Sequence, residues 1–325
     1  VSAPGCTKRC SPEPQAQTVV ASSAFVVFRG MCDASGAVPM DGDRFAVADD
    51  EDNVLRVYSQ TGGAPRSASD LSAALDLPAR KNVPEADIEA ATAFGDYALW
   101  LTSHGLTSSG RRQPSRFRFF ATRSRSDGSV LELSGKPYAA LLADMIAAPA
   151  LARFELGSAA ERAPKAPGGL NIEGMTRRAD LRSIYIGFRN PVPDARALLV
   201  PLLNPLQVAT QAAIAEFGTP QLLDLGGLGV RALALWRGRY VIVAGGIAHE
   251  AASRLFLWDG QAAPRVLPGN LASINPEAVI ARDDSELLLL LSDDGDREIG
   301  GTACKKLVHP RDKQFRGLWL RLPER

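Results

Sequence analysis

A chain of 325 residues is long enough to bury a large core, as one big domain or two ordinary ones. Its 37 Lys+Arg stand against 36 Asp+Glu, so nothing in the bulk charge drives it toward nucleic acid or an anionic membrane. No apolar run approaches the roughly 20 residues of a membrane span, and 29 Gly with 22 Pro mark many turns.

Residues 1–17, "VSAPGCTKRCSPEPQAQ", are small, polar and Pro-bearing, in the manner of a mature exported N-terminus. The expected organisation is a flexible segment over 1–22 and a single domain over 23–325. Cys6 and Cys10 lie close together in the first segment, while Cys32 and Cys304 are far apart. With no CxxC pair and only three histidines, zinc is disfavoured. Disulfides formed in a periplasmic or secreted setting are the better expectation.

A repeat runs along the chain. "DIEAA" at 87–91, "NIEGM" at 171–175 and "NPEAV" at 275–279 share one frame. Two degenerate copies fit it, "DASGA" at 33–37 and "GVRAL" at 229–233, with Ser35 and Arg231 in the Glu position. Each copy leads through a short turn into an apolar run: "RFAVADDED", "YALWLTSHG", "SIYIGFRNP", "YVIVAGG" and "ELLLLLSDDG". Further runs such as "VLRVYS", "RALLVPL" and "RLFLWDG" follow. These are short, rich in β-formers and bounded by Gly, Asp and Asn, so they read as strands.

Five units of three or four strands predict an all-β fold, a β-propeller of five blades. Six remain an alternative, with a blade hidden near 110–165. The long third spacing is assigned to a helical insertion over about 135–168, and a smaller helical stretch to 204–218. "SAFVVFRG" at 23–30 would supply the outer strand of the last blade and close the ring.

Such a ring gathers the motif residues and the ends of the second strands at one mouth of the channel. Cys32 and Cys304 would meet there on adjacent blades and form a bridge, with Cys6–Cys10 a local second bond. Glu89, Glu173 and Glu277 would converge on the axis, where repeated carboxylates repel unless something positive intervenes. One reading is a hard-cation site for Ca²⁺ or Mg²⁺, with Asp33, Asp50, Glu89, Glu173, Glu277 and Asp293 as oxygen donors. The other is an internal salt-bridge network with Arg189 and Arg231.

The run of "DGDRFAVADDEDNVLRVY", "DIEAA", "GLNIEGM", "IGFRNP", "LDLGGLGVR", "IVAGG" and "LSDDG" resembles an uncharacterised bacterial domain family, a domain of unknown function. The resemblance covers about residues 25–322 and supports the fold; "DIEAA" departs from it in carrying Ala after the Glu. The "NIEGM"-type repeats are more distantly similar to those of esterase-like, phytase-like propeller proteins.

Two function classes follow. The first is a cation-dependent binder or hydrolase of a small anionic molecule, such as a phosphoester. Here Glu89, Glu173, Glu277 and His104 are the candidate catalytic groups, and Arg189, Asn190 and Arg231 hold the anion. The second is a non-catalytic propeller that presents loops to a protein or glycan. Neither calls for nucleic acid or a membrane span, and a monomer is expected. "ADDEDN" and "LSDDGDRE" read as solvated turns in preference to calcium loops, and no Gly-x-Ser-x-Gly motif supports a serine hydrolase.

Overall fold

The computed structural model describes residues 20–21, 24–77, 83–124, 131–248 and 252–322. Within them the chain forms five antiparallel blades whose innermost strands contact one another in sequence, the fifth returning to the first. Blade 1 is built from Ala34–Pro39, Arg44–Asp49, Val54–Ser59 and Ser67–Asp70. Blade 2 is Ile88–Phe94, Tyr97–Thr102, Phe119–Ser124 and Leu131–Tyr138; blade 3 is Asn171–Arg177, Ile184–Asn190, Ala197–Leu202 and Gln221–Leu223. Blade 4 is Gly229–Trp236, Arg239–Gly245, Arg254–Trp258 and Arg265–Leu267. Blade 5 is Pro276–Ile280, Leu287–Ser292 and Gln314–Arg321.

Apolar runs replace strict alternation because each blade is packed on both faces. Leu288, Leu289, Leu290 and Leu291 are all fully buried: Leu288 and Leu290 face blade 4, while Leu289 and Leu291 face blade 1. One apolar cluster fills each blade interface. Trp100 and Phe120 meet Leu55 and Val57 between blades 1 and 2, and Phe256 and Ile242 meet Tyr185 and Leu199 between blades 3 and 4.

Residues 23–30 act as expected. Val26–Arg29 pairs with Gln314–Arg321 as the outer strand of blade 5, and the short Val20–Ala21 pairs with the same strand. Phe28 stacks on Phe315 at 4.8 Å and meets Phe45 of blade 1 edge-on at 5.3 Å. The closing strand therefore carries part of the interface between first and last blades. Cys32 and Cys304 form a disulfide across the same seam, with Cα atoms 5.8 Å apart. Cys6 and Cys10 lie outside the described residues.

The insertion begins later than the 135 expected. "LELSGKPY" is the outer strand of blade 2, paired with Phe119–Ser124 through a register shift between Ser134 and Tyr138. Gly135 and Pro137 carry no strand signal, and pairing with the neighbour decides the conformation. Helices at Leu141–Ala147, Pro149–Phe154 and Leu156–Ala159 follow, packed with blades 2 and 3. A helix at Pro205–Gln211 packs against the outer strands of blade 2.

Each repeat copy coincides with an irregularity in the innermost ladder. Ile88 and Ala90 face the adjacent Thr102 and Leu101, Ile172 and Gly174 face Phe188 and Gly187, Val230 and Ala232 face Ala244 and Val243, and Pro276 and Ala278 face Ser292 and Leu291. Glu89, Glu173, Arg231 and Glu277 are thus the extra residues of four β-bulges, and blade 1 shifts register across Ser35 and Gly36. A bulge re-aims the side chain of its unpaired residue. Here it turns the Glu position toward the axis. Gly174 follows because a Cβ there would lie 2.5 Å from Cγ1 of Val230 in the next blade.

Candidate functional site: a divided channel mouth

Motif residues and second-strand ends meet at one mouth, around a cavity of about 350 Å³. Asp33, Asp50, Glu89, Glu173, Glu277 and Asp293 line it together with Arg189. Below it, between Ala37, Ala91 and Ala232 of the inner strands, lies a small space of about 10 Å³. The mouth forms a cup, and its two halves differ in charge.

Blades 3–5 form a compensated half. Glu173 Oε1 accepts hydrogen bonds from Arg189 Nη1 and Asn171 Nδ2, both at 2.7 Å, and its Oε2 lies 3.6 Å from Arg231 Nε. Arg231 also pairs with Glu277 and donates to Asn275 Oδ1 at 2.6 Å. Asn275 in turn donates to Asp293 Oδ2 at 3.0 Å. Glu173, Arg189 and Arg231 are all at least 96% buried, with 4%, 3% and 4% exposure. The arginine in the degenerate fourth copy thus neutralises the glutamates of its two neighbours.

Blades 1 and 2 form an uncompensated half. Asp33, Asp49, Asp87 and Glu89 are buried and Asp50 partly so. The arginine that approaches them most closely is Arg116, whose Nη1 is 2.8 Å from Asp87 while its Nη2 is 2.9 Å from Glu85. Glu89 is only 9% exposed and faces the cavity, yet among the described residues it accepts no hydrogen bond and makes no ion pair. Asp50 Oδ1 is likewise buried without a hydrogen bond.

The electrostatic consequence is large. Burial, then the charges of Asp87 and Glu173, hold Glu89 well above the usual carboxylate range. Burial, the hydrogen bond with Asp293 and the charge of Asp49 push Asp33 up to about 9. Burial and neighbouring Asp52 take Asp49 to about 7, and burial takes Asp87 to about 6 against the pull of Arg116. Five carboxylates crowd here that cannot all ionise cheaply without added positive charge. Two groups of three, Asp33–Asp49–Asp50 and Asp50–Asp87–Glu89, each bring oxygens within 4.8 Å of one another. Oxygen donors of this kind suit a hard divalent cation.

Three expected site residues, His104, Asn190 and Arg231, lie outside the lining of the cup. His104 is fully buried behind the wall: its Nδ1 lies 2.8 Å from Thr102 O and its ring packs edge-on to Phe117. Asn190 donates to Pro164 O at 2.8 Å and Ala166 O at 2.7 Å, which ties the tail of the insertion over the mouth. Through that tie Ala163, Pro164 and Lys165 become part of the cavity wall. Arg231 lies beneath the cup and opens on a neighbouring cavity of about 530 Å³.

Arg116, Lys165 and Lys305 reach the cup unforeseen. Arg116 reads in sequence as part of a basic stretch with a solvated face, but a 3₁₀ turn at Pro114–Arg116 swings it inward. Lys305 has a signal in sequence: it follows Cys304, whose partner Cys32 precedes Asp33.

Burial pushes the His104 imidazole down to about 4 from 6.5. The unfolded chain therefore binds a proton between those values that the folded chain refuses. Stability from His104 is fully present above pH 6.5 and lost as pH falls toward 4, by roughly 3 kcal/mol at most. His104 sits at φ +55°, which Asn tolerates. The melting-temperature gap between wild type and His104→Asn should narrow as pH falls through that window. A gap that stays constant from pH 7 to 4 would show that His104 titrates normally.

Comparisons with known proteins bear on this division. Residues 131–266 match the family described as Protein of unknown function (DUF3616). The matched span runs from the outer strand of blade 2 to the outer strand of blade 4, so it holds Glu173, Arg189 and Arg231 and leaves the acidic half outside. No curated protein matches the sequence. Among solved structures, the chain is similar to glutaminyl cyclase from Myxococcus xanthus at 11% identity and a TM-score of 0.50, covering 96% of this chain and 100% of that one. It is also similar to an exo-β-1,3-galactanase from Phanerochaete chrysosporium at 8% identity and a TM-score of 0.51, covering 93% of this chain and 64% of that one. At such identities the likeness is one of fold, and fold does not carry function.

Proposed function

We propose that the cup binds a divalent hard cation, Ca²⁺ or Mg²⁺, on Asp50, Asp87 and Glu89, and through it a small anionic molecule. The observation that carries this reading is Glu89, a buried carboxylate aimed into a cavity with no partner among the described residues. An isolated buried charge is costly, and a cation offsets that cost. Arg116, Arg189 and Lys305 line the same cavity but are paired with Asp87 and Glu85, with Glu173 and with Asp296, so the anion would be held mainly through the cation. A phosphoester would be hydrolysed there by a cation-bound water, whose pKa the cation lowers. The disulfide suits a periplasmic or secreted protein, and among the described residues no helix is long and apolar enough to cross a membrane.

Calorimetric titration of chelator-treated protein with CaCl₂ and with MgCl₂ tests the cation. Saturable binding is expected in the wild type, weakened at least tenfold in Glu89→Gln. In chelator, Glu89→Gln should melt no lower than wild type, because it replaces a carboxyl whose ionised form burial and its acidic neighbours disfavour, and it strands no partner. The absence of saturable binding of either ion overturns the reading. A panel of phosphomonoesters and carboxylic esters, with and without chelator, then tests hydrolysis. Cation binding without turnover would leave a ligand-presenting scaffold.

A further inference from the structure

We infer that the cup holds two cations rather than one, bridged by Asp50, and that its ligand is a tetrahedral oxyanion such as a phosphate group. This rests on the cation reading above and extends it to Asp33 and Asp49. Asp50 belongs to both groups of carboxylates, and in each group the donor oxygens lie within 4.8 Å of one another. A carboxylate has two oxygens and so can serve one ion with each. Asp50 Oδ1 is buried and accepts no hydrogen bond, which leaves it free for that use. Glu89, nine-tenths buried and unpartnered among the described residues, lines the same cavity as Asp50.

The second position is built around Asp33. Its carboxylate fills the place of a side chain at Gly295, where a Cβ would lie 1.6 Å from Oδ1. Its hydrogen-bond partner in the wall is another carboxylate, Asp293. Asp49 lends one oxygen to the backbone N–H of Glu51 at 3.0 Å and keeps the other. Charge counting favours two ions: Arg116 is paired with Asp87 and Glu85, Arg189 with Glu173 and Lys305 with Asp296, so ionising Asp33, Asp49, Asp50 and Glu89 together calls for more than one divalent ion. Two hard cations sharing a carboxylate sit close enough to clamp two oxygens of one tetrahedral anion.

Metal analysis of the whole chain after saturation with Mn²⁺ and gel filtration reads the stoichiometry directly. Two equivalents are expected for the wild type, one for Asp33→Asn or Asp49→Asn, and at most one for Asp50→Asn, with affinity reduced at least tenfold. At two equivalents, exchange-coupled Mn²⁺ pairs should replace the six-line spectrum of isolated ions. Inorganic phosphate should bind the two-ion form at least tenfold more tightly than the one-ion form of Asp33→Asn. One equivalent in the wild type overturns the second ion and leaves the first reading standing. Zero equivalents overturns both. Two equivalents with uncoupled spectra, or unchanged stoichiometry in both Asp33→Asn and Asp49→Asn, overturns the shared centre.

Discussion

Glu173→Gln is expected to destabilise the protein by about 3–5 kcal/mol, the cost of stranding one member of a buried ion pair. Arg189 is 3% exposed and its Nη1 is 2.7 Å from Glu173 Oε1, so little of its guanidinium can be rehydrated when the charge is removed. Arg231 loses a neighbour at the same time, with its Nε 3.6 Å from Oε2. The glutamine oxygen still accepts from Asn171, which places the loss in the charge rather than in the hydrogen bond. Thermal melts of wild type and variant, each with and without EDTA, are the measurement. The gap between them should persist in chelator. A gap that closes in EDTA would move Glu173 from the ion-pair half of the cup to the cation ligands.

Replacing Cys32 and Cys304 together by serine should cost a comparable amount, about 5 kcal/mol on the loop-entropy model. The bridge spans a sequence separation of 272, so it removes freedom from almost the whole unfolded chain. It also joins blade 1 to the loop after the second strand of blade 5, beside the closing pair Val26–Arg29 and Gln314–Arg321. Asp33 and Lys305 follow the two cysteines directly and both line the cup, so cation affinity should fall with stability. A double variant that melts within about 1 kcal/mol of oxidised wild type would show that strand pairing and the Phe28–Phe315 stack close the ring unaided.

The repeat was legible because a bulge needs a residue that does not pack. Glu at 89, 173 and 277 stands out among Ala, Gly, Ile and Val, and the apolar run after each copy marks the strand that returns to the same mouth. From this alone followed the five blades, the closing strand at 23–30 and the Cys32–Cys304 bridge, because ring closure places the first and last blades side by side.

What the sequence left open was how charge is shared around the ring. Glu89 and Glu173 stand in near-identical motifs, yet Glu173 is held by Arg189 and Arg231 while Glu89 has no partner among the described residues. Blade order decides this, since Arg231 sits between the third and fifth blades and reaches Glu173 and Glu277 on either side. His104 and Asn190 illustrate the same limit. Both end strands at the mouth, but His104 packs on Phe117 and Asn190 is spent on the carbonyls of the insertion. Arg116, Lys165 and Lys305 reach the cup from loops far apart in the chain, and only the folded ring brings them together. Strand pattern is a local property with a period of two residues, whereas the pairing of buried charges depends on which blades become neighbours and on the water their packing excludes.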